Sequence, residues 1–371
     1  MSKARKLYKR LAPLFTPFGL VYAGLMRARR RAYKQGSLQS FRPACPTVSV
    51  GNISWGGTGK TPVVAWLINW ALERGLKPAV LSRGYGGKPA TLPLLVGSLT
   101  PPAESGDEPL MLAKLYPEAK VLVDPKRARA AEYAGAHFPP DLFILDDGFQ
   151  HMAIARDFNL VLLTPEDLTG GWNRVIPGGS WREGADALAD AQAVLLRLGG
   201  PPSAQDIAAV LAYGRERLPG IPLFPFYLKN TGLRRLGRAG QFSADLAGKP
   251  YNLFCGVGSP AGVLAGATAL LGQPPKQFTR FEDHHAYSSG DLIELLANGL
   301  ELVCTEKDAV KLEANYAAML RENPVWAMQA EPVFLNGQDR EGASVQFAGF
   351  WAAAWAEISA VPNPSSPKAQ S

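Results

Sequence analysis

Short apolar runs rich in β-branched residues recur along the chain with helical stretches between them, the pattern of a mostly parallel sheet flanked by helices. Six runs, Thr47–Ile53, Pro78–Ser82, Lys120–Val123, Leu142–Leu145, Leu160–Leu163 and Ala193–Leu196, predict the strands of a first α/β unit. Residues 199–250 then turn rich in Gly, Pro and Arg, and LPGIPLFPFYLKN reads as an extended linker rather than another βα unit. A second, smaller α/β set follows, with strands over Tyr251–Val257, Leu300–Thr305 and Val325–Ala330 and helices near Gly262–Leu271 and Gly290–Asn298. The closing VPNPSSPKAQS has the composition of a disordered tail.

Between Arg10 and Arg27 a different pattern appears: sixteen uncharged residues, LAPLFTPFGLVYAGLM, with basic clusters on both sides. Sixteen residues fall short of the ~20 that span a bilayer, and Pro13 and Pro17 interrupt them. No A-x-A-like cleavage site marks a secretory signal. The segment reads as an interfacial helix whose Leu, Phe, Tyr and Met enter the acyl boundary while Arg27, Arg29, Arg30 and Arg31 meet anionic head groups. The alternative is a helix docked on the body with solvated arginines.

Charge sharpens this picture. The formal net charge is +7, yet residues 1–42 hold eleven Lys or Arg and no acid, which leaves 28 basic against 32 acidic residues in the rest. The basicity is local, which argues against a general nucleic-acid surface and for an anionic partner at the N-terminus. With 371 residues and 47% hydrophobic content the chain can build two cores. Cys45, Cys255 and Cys304 form no CxxC pair, so neither a disulfide scaffold nor a structural zinc site is expected, and a reducing compartment is.

The chemistry concentrates in TVSVGNISWGGTGKTP, where a strand ends in a Gly-rich turn and passes into the helical VVAWLINWALERG. This is the context of a phosphate-binding P-loop. Residues Ser54, Trp55, Gly56, Gly57, Thr58, Gly59, Lys60 and Thr61 make the loop: glycines let backbone N–H groups curl around phosphate oxygens, Lys60 reaches the β and γ phosphates, and the Thr61 hydroxyl can ligate Mg²⁺. Ser54 stands where the usual motif has glycine. In DLFILDDGFQH, Asp146 and Asp147 end an apolar strand, the place of the acid that organises a P-loop metal; one is expected to face Mg²⁺ and the other a neighbouring loop.

Further loops should gather at the same rim. SRGYGG carries Arg83, and ESGDEP places Asp107 and Glu108 at a helix start, as a general base and second metal contact or as simple capping with Asp107 at the N-cap. Arg127 neutralises phosphate or begins a helix. In FEDHHAY, His284 or His285 with Asp283 can form a carboxylate-oriented imidazole, a metal site or a surface turn.

The residues alone thus describe a P-loop kinase using Mg-ATP on a substrate at a membrane surface. Two rivals stay open: a membrane-associated NTPase switch acting on protein partners, and a soluble small-molecule kinase. The switch would carry the guanine motif [NT]-K-x-D, and the nearest stretch, Thr305-Glu306-Lys307-Asp308, has its Lys one place late. The expected organisation is a membrane-interfacial segment over 1–42, a P-loop nucleotide-binding domain over 43–200, a linker over 201–250, a C-terminal α/β lobe over 251–357 and a disordered tail over 358–371.

Taken in order, GNISWGGTGKTPVV, LSRGYGGK, GDEP, DDGFQH, FEDHHAY and VCTEKDAVK resemble the tetraacyldisaccharide 4′-kinases, the lipid A 4′-kinases of Gram-negative bacteria, over about residues 7 to 320. That resemblance implies transfer of the γ-phosphate of ATP to the 4′-hydroxyl of a tetraacyl glucosamine disaccharide 1-phosphate, giving lipid IVA, at the cytoplasmic face of the inner membrane. It implies Asp107 as the catalytic aspartate and His284 as its partner. The metal-associated acids fall on Asp146 and Asp147 with Glu108 nearby, and His285 has no assigned role. ATP, Mg²⁺, the lipid A precursor and an anionic membrane are the implied partners, without nucleic acid or protein.

Overall fold

The computed structural model describes residues 12–237, 242–243 and 246–361; the basic residues before Leu11 and the expected tail beyond Val361 lie outside these. The chain builds one continuous sheet. Its strands are β1 (Thr47–Asn52), β2 (Pro78–Ser82), β3 (Leu94–Val96), β4 (Lys120–Val123), β5 (Leu142–Asp146), β6 (Phe158–Leu163), β7 (Ala193–Arg197) and β8 (Leu223–Arg235), then β9 (Phe242–Ser243), β10 (Tyr251–Cys255), β11 (Gln277–Arg280), β12 (Glu301–Thr305), β13 (Val325–Phe334), and the short β14 (Gly337–Gln338) and β15 (Ser344–Val345). The order is β11-β10-β12-β13-β8-β7-β6-β1-β5-β2-β4-β3, parallel except where β8 meets β13 and β3 meets β4. Near-continuous burial of β1, β2, β5 and β6 follows from their place inside the sheet, covered by helices on both faces.

The segment expected as a linker is helix and strand instead. Ala204–Arg217 is helical, opened by a Ser203–Asp206 capping box, and β8 is the strand both halves share. Its first residues pair in parallel with β7 (Val194↔Leu223 to Arg197↔Phe226), and the rest runs antiparallel to β13 (Phe226↔Phe334 to Arg235↔Trp326). Pro225 and Gly232 obscured it. Pro225 lies just before the β13 pairing begins at Phe226, beside Leu196 of β7, and its carbonyl accepts from Leu335 N at 2.9 Å.

The helices that matter for the site are α1 (Thr16–Lys34), α2 (Lys60–Leu72), α3 (Asp107–Leu115), α4 (Arg127–His137), α5 (Ala204–Arg217), α6 (Pro260–Leu271), α7 (Ser289–Leu296), α8 (Glu306–Asn315) and α9 (Phe347–Ala360). Helix α9 reaches Ala360, so order extends past the expected tail boundary at 358. It returns to the first half of the chain: Trp351 packs edge-on to Trp70 of α2 at 5.4 Å, Trp355 does the same, and Phe347 meets Trp66. Burying this aromatic cluster ties the C-terminus to the helix behind the glycine-rich loop.

Helix α1 has two faces with different partners. Gly19, Ala23 and Arg30 are buried against the body. Of the four arginines expected at head groups three turn to the body and Arg31 stays exposed: Arg30 pairs with Glu183 at 2.7 Å and with Asp190, Arg27 meets Asp186 at 3.1 Å and Arg29 donates to the Gln150 carbonyl, while Lys34 joins Asp190. Desolvating an arginine at Arg30 is offset only by close acids, and the body supplies two. The other face leaves Phe18, Val21 and Leu25 more than half exposed at helical spacing, and Leu14 in the turn before the helix is exposed as well. Among the described residues no helix is long and apolar enough to cross a membrane.

Candidate active site

In each half of the sheet the parallel strands end at one edge, and all the motifs singled out above except GDEP, which opens α3 between β3 and β4, lie at such an end. The glycine-rich loop follows β1, Arg83 follows β2, Asp146 and Asp147 close β5, Asp283 and His284 follow β11, and Lys307 follows β12.

In the loop, Gly59 has φ +86° immediately before Lys60 opens α2, a conformation only glycine adopts without strain. Ser54 does not need that freedom: its hydroxyl donates to Asp167 Oδ2 at 3.2 Å, and Asp167 also accepts from Trp181 Nε1 at 2.9 Å. Trp55 is exposed, Thr58 is buried, and Arg197 donates to the Gly57 carbonyl. Lys60 Nζ donates to Asn52 Oδ1 at 3.0 Å and lies 3.4 Å from Asp147 Oδ1.

The two adjacent aspartates diverge as expected for a strand end. Asp146 is buried and accepts from Ser82 Oγ of β2 at 3.2 Å; burial, with help from Asp147 and Glu108, pushes its carboxyl up to about 6 against the pull of Lys60. Asp147, at φ +52°, accepts from Arg182 Nη1 at 2.8 Å. Burial would raise it too, but Lys60 and Arg182 together hold it below the usual carboxylate range. Arg127 is buried beneath this strand end, with its guanidinium 3.4 Å from the Asp146 carbonyl.

Asp107 is the first residue of α3 and does not cap it; Gly106 occupies the N-cap. Gly106 has φ +82°, and a Cβ there would come within 2.6 Å of the Tyr85 carbonyl, so the β2 loop and the Asp107 loop stack backbone on backbone. The freed carboxylate faces the second half of the chain. Asp107 Oδ2 lies 3.1 Å from His284 Nδ1 and 3.4 Å from Lys311 Nζ. Lys307 Nζ lies 3.1 Å from His284 Nε2, 3.0 Å from Glu108 Oε1 and 3.4 Å from Asp283 Oδ1. These two lysines were missed as site residues. Their signal is the i, i+4 spacing in TEKDAVK, which sets both on the face of α8 that packs beside α3.

Some expected members stand elsewhere. His285 stacks on Phe281 and pairs with Asp291 of α7, a turn-stabilising role. Glu108 is held by Lys307, although it still acts electrostatically on Asp146. Asp308 is fully buried and accepts from Gly256 N at 3.1 Å, Tyr287 OH at 2.9 Å and Thr305 Oγ1 at 2.6 Å. It braces the loop that carries His284, which leaves it no part in reading a guanine base.

Among the described residues no three His, Cys, Asp or Glu converge as a metal cage. Mg²⁺ at a phosphate site needs only one or two protein oxygens, the phosphates and water providing the rest. Thr61 at the start of α2 and Asp146 and Asp147 at the end of β5 carry hard oxygens that would suit such an ion, and a carboxylate raised by burial and like charge, as Asp146 is, is relieved by a nearby cation.

The comparisons with known proteins decide the family. A family profile described as tetraacyldisaccharide-1-P 4′-kinase matches residues 11–344. The chain belongs to the tetraacyldisaccharide 4′-kinase family. It is a kinase of lipid A biosynthesis. The tetraacyldisaccharide 4′-kinase of Nitratidesulfovibrio vulgaris is 46% identical over 354 residues, covering 95% of this chain and 96% of that protein. The enzyme of the same name from Oleidesulfovibrio alaskensis is 44% identical, covering 95% and 98%. A crystal structure of the Aquifex aeolicus family member in complex with ATP superposes with a TM-score of 0.74 at 27% identity, covering 94% of this kinase and 99% of that chain. Kinase and relative therefore share the whole fold.

Proposed function

We propose that this kinase transfers the γ-phosphate of ATP to the 4′-hydroxyl of a tetraacyl glucosamine disaccharide 1-phosphate at the cytoplasmic face of the inner membrane. The contact of Asp107 with His284 at 3.1 Å, between residues 177 positions apart, carries the reading. An aspartate and an imidazole brought together beside a phosphate loop suit activation of a hydroxyl.

In this mechanism the amides of residues 54–61 hold the ATP phosphates, and Lys60 exchanges Asp147 for phosphate oxygens. Asp107 accepts the proton of the sugar hydroxyl as its oxygen forms a bond to the γ phosphorus. The bond from that phosphorus to the β,γ-bridging oxygen breaks, and its electron pair leaves with ADP. Thr61, Asp146 and Asp147 would hold Mg²⁺, which neutralises charge on the phosphates when bound. His284 orients Asp107, and Arg182 keeps Asp147 ionised.

The exposed face of α1 supports the membrane half of the reading. Leu14, Phe18, Val21 and Leu25 offer an apolar stripe for the acyl boundary, while the opposite face fixes the helix to the catalytic body. A head group anchored by its chains would then meet the cleft from the bilayer side.

The test is ATP-dependent phosphate transfer to tetraacyl disaccharide 1-phosphate in mixed micelles, with Lys60→Ala as control. Transfer by the wild type and its loss in the variant are expected. Absence of transfer by the folded wild type would sink the substrate assignment.

A further inference from the structure

Lys307 sits at a junction that the reaction above leaves without a role. Its ammonium, 19% exposed, has three neighbours within 3.4 Å: Glu108 Oε1, His284 Nε2 and Asp283 Oδ1. A lysine ammonium has three hydrogens to donate and no lone pair to accept with, so each neighbour must present an acceptor. The carboxylates do so in any ionised state. For the imidazole the requirement is selective: Nε2 accepts only if it carries no hydrogen, which places the ring hydrogen on Nδ1, the nitrogen facing Asp107. A doubly protonated ring would instead set two cations 3.1 Å apart.

We propose that Lys307 is a positioning residue that fixes His284 as the neutral Nδ1–H tautomer and so makes Asp107, not His284, the acceptor of the substrate proton. The inference rests on the kinase reading above. With Nε2 occupied, His284 has no free lone pair to offer a hydroxyl. Its Nδ1–H donates to Asp107 Oδ2, and Lys311 approaches the same oxygen at 3.4 Å. Both contacts fall on Oδ2, which assigns Oδ1 to the proton. The backbone prepares the ring for this: His284 is held at φ +62°, and its N–H donates to the Gly256 carbonyl, while Gly256 N donates to Asp308.

The tautomer is read by ¹⁵N NMR of histidine-labelled full-length kinase in detergent micelles, with His284→Asn to assign the signal. The expected wild-type spectrum shows hydrogen on Nδ1 and a bare Nε2. An Nε2–H or doubly protonated ring overturns the proposal whether or not any variant folds. Lys307→Met should leave Nε2 open to hydrogen, seen as a new Nε2–H signal beside the retained Nδ1–H, and lower kcat on the order of 100-fold, with KM for ATP changed by no more than about twofold. Lys307→Arg, which keeps a donor, should keep the Nδ1–H signal and recover at least about tenfold of that loss. A folded Lys307→Met enzyme with wild-type kcat refutes the role. A wild type that transfers no phosphate sinks the kinase reading instead, and the tautomer spectrum still decides this one.

Discussion

Asp107 and His151 show how far a single residue can be read. Truncation of Asp107 to Ala should lower turnover by about 10²–10⁴-fold, the range of a lost general base, with ATP affinity within a few-fold of wild type. Unchanged turnover by steady-state assay would remove it from that role. His151, the last residue of DDGFQH, is kept neutral: burial lowers its pKa to about 4, and Arg127, Arg156, Arg29 and Arg83 add to the effect. Since the unfolded chain binds this proton from about pH 6.5 downward and the native state does not, acidification from 6.5 towards 4 favours unfolding. His151→Gln should lose less melting temperature than wild type over that window; parallel curves would refute it. Asp107 was legible in local sequence as a base or a cap, but the role of His151 was not visible there. The aspartate pair and Lys60 were, because strand ends and glycine turns are local features, whereas Lys307 and Lys311 emerge only when α8 lies beside α3.

Elements carry the membrane question. Helix α1 reads from its composition as uniformly basic and apolar, and only its docking separates an inner ionic face from an outer apolar one. The two faces should respond differently to mutation. Arg30→Ala leaves Glu183 buried without its partner, and about 3–5 kcal/mol of stability should be lost in denaturant unfolding. Phe18→Ser and Val21→Ser together should leave that stability unchanged and weaken sedimentation with anionic vesicles. Equal vesicle binding by the double variant would place the membrane contact elsewhere. The element misjudged most was β8, since proline and glycine signal breaks in an isolated strand, whereas here β7 and β13 hold the strand from either side.

At the scale of the molecule, one sheet and one returning helix join what the sequence divides into parts. The buried cluster behind α2 takes Phe224 and Phe226 from β8 and Phe347 and Trp351 from α9. Residues 1–200 produced alone should therefore show no cooperative thermal transition by circular dichroism, and a sharp melt would establish an independent N-terminal domain. Alternation, apolar runs and turn residues act over a few positions, so the sequence by itself determined the α/β class, nine of the strands and the glycine-rich loop with Lys60. The motif order determined the family. Which cation meets which carboxylate was decided by the tertiary structure alone: Arg30 turns to Glu183 rather than to a lipid, and Lys307 to Glu108. Charges pair by distance in space, and these partners are brought together only when the sheet has closed its order.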